Sequence, residues 1–243
     1  MTILQITLDL PTARHQIRQL RGLVAERAGL QHDLLHNHRD GRKDQYHYRY
    51  PLVQYKVVKG RAVVLGLNAG AALLRSLLDT NTMRLAGDLP VAGYREEGLA
   101  LRMTERPRRY ALRQWLALNE TNYARWQTLD SEEAKRAELE RILAAHLLAF
   151  AEGVGFTVPR PRGLEVRLAE VDAPRRVRCH DGQLLSFDVT FWANMLLPTD
   201  VGIGKSASHG FGVAYPLPDR VRPSNAKREG LQRSAQLELE HAF

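Results

Sequence analysis

Glycines stand at Gly202, Gly204, Gly210 and Gly212, with Lys205, Ser206 and His209 between them, in a thirteen-residue stretch that runs from Val201 to Val213. Glycine at that density lets a chain take positive φ and approach another backbone closely, so several amide N–H groups can converge on one anion. A phosphate is the natural choice. Two familiar phosphate loops are excluded. The lysine loop of nucleotide hydrolases needs a glycine where Thr199 stands, and the dinucleotide fingerprint needs one where Ala207 stands. Neither is followed by the helix its motif requires.

The second concentration of chemistry is histidine. His32, His36, His38 and His47 fall within sixteen residues, beside Arg39, Arg42 and Lys43. Imidazole titrates near neutral pH, so it can exchange a proton with a ribose hydroxyl or a leaving oxygen while the cations hold a phosphate. His32 and His36 also have the four-residue spacing of a helical zinc pair, with Asp33 next to the first. No third ligand lies at a suitable distance, and Asp40-Gly41 breaks a long helix there, so no metal is expected. The alternative for each of these histidines is plain loop polarity. Tyr46, Tyr48 and Tyr50 share one face at strand spacing and could stack on bases or cap a core. Lys56 follows, to neutralise a phosphate or to be solvated.

The elements that must position these groups can be read from periodicity. Ile3 to Leu10 alternates as a strand, and Thr12 to Ala28 has helical spacing with Ile17, Leu20 and Val24 on one face. Tyr46 to Val58 and Arg61 to Leu67 read as a hairpin turning at Lys59-Gly60, and Gly70 to Leu78 as a short helix. A fourth strand is expected at Met83 to Ala86 or at Leu99 to Met103. The order strand, helix, strand, strand, helix, strand is ferredoxin-like. Helical spacing then covers Tyr110 to Gln127 and Ser131 to Glu152, the second with a stripe of Leu139, Ile142, Leu143, Leu147 and Phe150. Strands follow at Leu164 to Val171, Arg175 to His180, Gln183 to Met195 and Phe211 to Leu217, with a hairpin turn at Asp181-Gly182. The expected class is α+β, tandem ferredoxin-like (RRM-like) domains with antiparallel sheets. The expected division is a first domain at 1–104, a helical connector at 105–160, a second ferredoxin-like portion with the glycine-rich loop at 161–217, and a flexible tail or linker at 218–243.

Charge narrows the partner. The chain has 243 residues and a formal net charge of +8, and only six of its 35 basic residues are lysine. Such a field draws polyanions, and arginine suits forked phosphate contacts. Arginine-rich basic proteins are also common in GC-rich genomes. The single cysteine, Cys179, excludes internal disulfides and cysteine-rich zinc sites. The absence of a long apolar run or a basic-then-apolar N-terminus leads to the expectation of a cytoplasmic protein with no membrane partner.

With those pieces in place the sequence resembles the CRISPR-associated repeat-processing endoribonuclease family, the sixth Cas protein, in its compact bacterial branch. The resemblance is carried chiefly by Gly202-Ile203-Gly204-Lys205-Ser206-Ala207-Ser208-His209-Gly210-Phe211-Gly212. Leu35-His36-Asn37-His38, Pro51-Leu52-Val53-Gln54-Tyr55-Lys56 and Trp115-Leu116-Ala117-Leu118-Asn119 support it, and it spans residues 1 to about 217. It implies binding of the repeat in precursor CRISPR RNA and one cut in it without metal or cofactor, by attack of a ribose 2′-hydroxyl. The products would be a 2′,3′-cyclic phosphate and a 5′-hydroxyl. It makes His36 and His38 the catalytic candidates and Lys56 an electrostatic stabiliser. Arg39, Arg42, Lys43, Gly202, Gly204, Lys205, Ser206, His209, Gly210 and Gly212 become the RNA-binding candidates. Other Cas proteins of an effector complex are possible partners, and a non-catalytic RNA-holding subunit is the alternative function.

Overall fold

The computed structural model describes residues 1–36, 38–39, 42–46, 49–160, 163–179 and 182–218, with backbone alone at 36, 38–39 and 42–46. In chain order the elements are β1 (Thr2–Pro11), α1 (Ile17–Ala28), α2 (Asp33–His36), β2 (His38–Arg39), β3 (Arg42–Tyr46), β4 (Val53–Val58), β5 (Arg61–Leu67), α3 (Ala69–Leu77), β6 (Leu78–Asp79), β7 (Arg84–Leu85) and β8 (Leu89–Gly98). The second half adds β9 (Met103–Trp115), α4 (Glu120–Gln127), α5 (Glu132–Gly153), β10 (Val166–Val171), β11 (Arg175–Cys179), β12 (Gly182–Met195) and β13 (Val213–Pro216). A 3₁₀ turn, Arg14–Gln16, leads into α1. No helix among the described residues is long and apolar enough to cross a membrane.

Two antiparallel sheets carry the fold. The first runs β4-β5-β1-β8-β7-β6, and the second runs β10-β12-β9-β13 with β11 also paired to β12. Each places its strands in the ferredoxin-like order, the first and third strands side by side in the middle. Where the first sheet uses α3 to connect its third and fourth strands, the second uses the glycine-rich loop between β12 and β13. One face of the first sheet, with Leu4, Ile6 and Val64, buries Ile17, Leu20 and Val24 of α1 and Leu74 of α3. Ile3, Leu65 and Leu67 belong instead to the second core, with Leu143, Leu147 and Phe150 of α5. The α5 stripe expected from spacing is buried in full.

Three expectations are corrected. The stretch from Tyr110, expected to be helical, begins inside β9, which pairs β12 on one side and β13 on the other. Tyr110, Ala111 and Leu112 are consecutive and all buried, so the period of two that marks a half-exposed strand is lost there. The fourth strand of the first sheet is β8, between the two candidate positions. Only Leu89 and Val91 of it are buried, and its Arg95-Glu96-Glu97 run hides the pattern. The hairpin strand begins at Val53 rather than Tyr46, because Pro51 cannot donate to a ladder. The tail from 219 onward and the Asp181 half of the expected turn lie outside the described residues.

Candidate functional site

The glycine loop is seated on the first sheet through buried polar groups of β4. Gln54 is fully buried, and its Oε1 accepts from the Gly202 amide at 2.9 Å. Its Nε2 donates to the Tyr50 hydroxyl at 2.8 Å, and that hydroxyl donates to the Gly202 carbonyl at 2.6 Å. Lys56 is 2% exposed. Its ammonium donates to the Asp200 carbonyl and to Gln54 Oε1 at 3.2 Å. Burial lowers its pKa to about 7, against the opposing pull of Asp200, and Arg14 lowers it further. Buried polar groups persist only when paired, so Tyr50, Gln54 and Lys56 form one clamp on the backbone of Asp200 to Gly202. Tyr50 takes the core-capping role open to it in the sequence, its ring edge-on to Phe150 with centroids 5.3 Å apart.

The glycines serve this close seating. A Cβ at Gly210 would lie 3.0 Å from the Tyr55 carbonyl, and one at Gly212 would lie 1.9 Å from the Ile203 carbonyl. Gly204, Gly210 and Gly212 all have positive φ, as does Ser206 at 57°. The amides of Ile203, His209, Gly210 and Gly212 donate to carbonyls of Gly212, Ser206, Ala207 and Gln114. Four of the loop's amides are therefore engaged in holding the loop and do not face an anion. Arg14 donates to the Gly210 carbonyl and lies over the Phe211 ring at 5.5 Å.

Seated this way, the loop forms one wall of a cleft of about 370 Å³, whose other walls are the start of α1 and the end of β11. His15, Arg18, Arg178 and His209 line it, with Ile17, Cys179 and Phe211, and none of the described residues that line it is a carboxylate. Two guanidiniums and two imidazoles from three separate elements make a pocket for an anion. Ser206 stands beside it, its Oγ 3.4 Å from Cys179 Sγ. Lys205 is exposed on the outer turn of the loop and borders a different cavity.

Arg21 ties the cleft to the histidine segment. Its Nη1 lies 2.7 Å from His209 Nε2, and its Nε donates to the Leu35 carbonyl at 3.3 Å. The Tyr55 hydroxyl donates to the same carbonyl at 3.2 Å. The backbone one peptide before His36 is thereby fixed to α1, to β4 and, through Arg21, to the glycine loop. The side chains of His36, His38, Arg39, Arg42 and Lys43, and all of His47, lie outside the described residues.

Sequence reasoning did not single out His15, Arg18, Arg21 or Arg178. A signal existed for the helix: Arg14, Arg18 and Arg21 recur at i, i+4 and i+7, a basic stripe beside the apolar one. Nothing local marked Arg178 among the arginines of β11.

The chain matches the family models for the Cas6b N-terminal domain over residues 1–92 and the Cas6b C-terminal domain over residues 102–216. An uncharacterised protein of Methanocaldococcus jannaschii is 34% identical over 98 residues, which is 40% of this chain and 64% of that protein. A crystal structure of Cas6b superposes with a TM-score of 0.74 at 21% identity, over 89% of this chain and 100% of the other. Another, of the CRISPR RNA processing endoribonuclease Cas6b, gives 0.66 at 20% identity over the same shares. At those identities the likeness of the solved structures is one of fold.

Proposed function

The chain belongs to the Cas6b family, and from that premise we propose that it is an endoribonuclease that binds the repeat of precursor CRISPR RNA and cleaves it without metal. The base takes the proton of a ribose 2′-hydroxyl, and the oxygen attacks the adjacent phosphorus in line. The bond to the 5′-oxygen breaks, and the acid returns a proton to that leaving oxygen. The products are a 2′,3′-cyclic phosphate and a 5′-hydroxyl. Such a step needs placement, two proton carriers and positive charge on the phosphoryl oxygens.

The observation that supports this reading is the basic cleft joined through Arg21 to the segment that enters His36 and His38. Arg18 and Arg178 supply the charge on the phosphoryl oxygens. His36 and His38 supply the proton transfers, and their division into acid and base stays open. Lys56, buried against Asp200, contributes by anchoring the loop whose His209 faces the cleft. Arg39, Arg42 and Lys43 add positive charge along the incoming RNA.

Cleavage of a labelled host-array repeat RNA in excess EDTA, beside the same RNA carrying a 2′-deoxy residue before the cut, tests the proposal. Cleavage of the first and survival of the second is the expected result. Tight binding without cleavage of either overturns it in favour of a non-catalytic RNA-holding subunit.

A further inference from the structure

A second cavity, of about 230 Å³, opens on the other side of the glycine loop, between the start of α4 and the β11–β12 hairpin. Leu118, Leu185 and the Tyr123 ring give it apolar walls, and the Asn119 and Gln183 amides border it. Arg176 and Lys205 are exposed and stand at its rim, with Glu120 also lining it. Arg176 and Arg178 are two residues apart on β11, so they share a face of the strand, about 7 Å from one another along it. Leu185 and Gln183 are their partners across the hairpin. Arg178 lines the basic cleft and Arg176 lines this cavity. The two sites therefore lie side by side on one strand face, one on each side of the loop's outer turn.

We infer that this cavity takes one unpaired nucleobase of the RNA, adjacent to the phosphate held in the basic cleft; the inference rests on the RNA-cleaving reading above. The composition of the walls selects the base over the phosphate. A neutral heterocycle fits against Tyr123 and the leucines, and its phosphate stays outside at the rim, where Arg176, Lys205 and Glu120 are all exposed. Single-stranded RNA is read in this manner, by splaying a base onto an aromatic ring and pairing its edge with amide or carboxylate side chains. A carboxylate accepts from an exocyclic amino group, so Glu120 favours adenine, cytosine or guanine over uracil.

The test is cleavage and affinity with repeat RNAs in which single abasic nucleotides are walked through the unpaired positions flanking the cut. Wild-type protein is compared with the Tyr123→Leu and Gln183→Ala variants, the second an exposed position that leaves the core intact. One abasic position is expected to weaken the wild type roughly tenfold, in the range of a lost base–aromatic contact. Tyr123→Leu should cost about as much on intact RNA by the same reasoning, and the two losses should not compound. Uracil at that position should lose less than the abasic site, because it keeps the aromatic contact and forfeits only the bond to the carboxylate, and Gln183→Ala should narrow the difference among bases. If no abasic position matters, or if the losses multiply, the cavity does not hold a base. If wild-type protein binds the intact repeat without cutting it, the catalytic reading fails, while the affinity arm still decides whether the cavity holds a base.

Discussion

The Arg21 guanidinium lies 2.7 Å from the Nε2 of His209, across 188 residues of sequence. Arginine has no acceptor, so the imidazole accepts at Nε2, carries its proton on Nδ1 and is neutral. Its Nδ1 is 3.2 Å from Ser208 Oγ, which suits that tautomer. The same guanidinium holds the Leu35 carbonyl, so one side chain sets the distance between the glycine loop and the histidine segment.

Replacing Arg21 with glutamine releases both ends. Arg18 and Arg178 remain in the cleft, so RNA affinity should change by less than about threefold, whereas misplacement of reacting groups by an ångström can cost about 100-fold in rate. Single-turnover cleavage measured beside equilibrium binding separates the two. An equal loss in both would show that Arg21 acts as one more phosphate contact.

His36→Ala combined with His38→Ala should lower the cleavage rate by at least about 100-fold, the lower end of general acid–base contributions, with binding retained. Full cleavage by the double variant removes these two histidines from the mechanism.

Counterion release makes the basic cleft visible in salt titrations. Arg18→Ala and Arg178→Ala should each reduce the slope of log affinity against log salt by about 1. An unchanged slope in both would place the phosphate elsewhere.

Gly212→Ala puts a Cβ 1.9 Å from the Ile203 carbonyl at a φ of +61°. Gly60→Ala also meets a positive φ, +77°, but with nothing within 4 Å. Backbone strain alone costs about 1–3 kcal/mol, so both should melt earlier. Gly212→Ala should fall further and lose RNA affinity, because the loop can no longer close on itself. Equal shifts in melting temperature would mean that close approach contributes nothing.

The Lys56 amine, ordinarily near 10.5, is brought to about 7 by burial. Between those values the unfolded chain carries a proton that the folded chain does not, so stability rises with pH from about 7 to about 10.5 and is level below 7. Lys56→Met removes that contribution. Chemical denaturation at pH 7, 8, 9 and 10 should give a flatter curve for the variant, and parallel curves would mean that the amine stays charged in the fold.

Much of the architecture was legible where one face of an element is buried and the other wet. The α5 stripe of Leu139, Ile142, Leu143, Leu147 and Phe150 stands as read, and in β12, also expected as a strand, Phe187, Val189 and Phe191 are buried in alternation with half-exposed Asp188 and Thr190. The strands β8 and β9 were not legible, for opposite reasons. β8 is mostly exposed, with too few apolar positions to set a period, whereas β9 is flanked on both sides by strands and buries four consecutive residues, Arg109 to Leu112.

The sequence by itself determined most of the local conformations outside β8 and β9, the class of the fold and the concentration of glycine, histidine and arginine, because periodicity and residue chemistry act over a few residues at a time. Tertiary structure alone decided what those groups face. Lys56 is a strand residue like any other until β4 is laid against Asp200, and it then becomes a buried amine clamping a loop. The α1 arginines Arg18 and Arg21, Arg178 of β11 and His209 of the loop come from distant parts of the chain and meet only because two sheets pack across the glycine loop. Distance through space depends on how the sheets dock, and no local pattern encodes that docking.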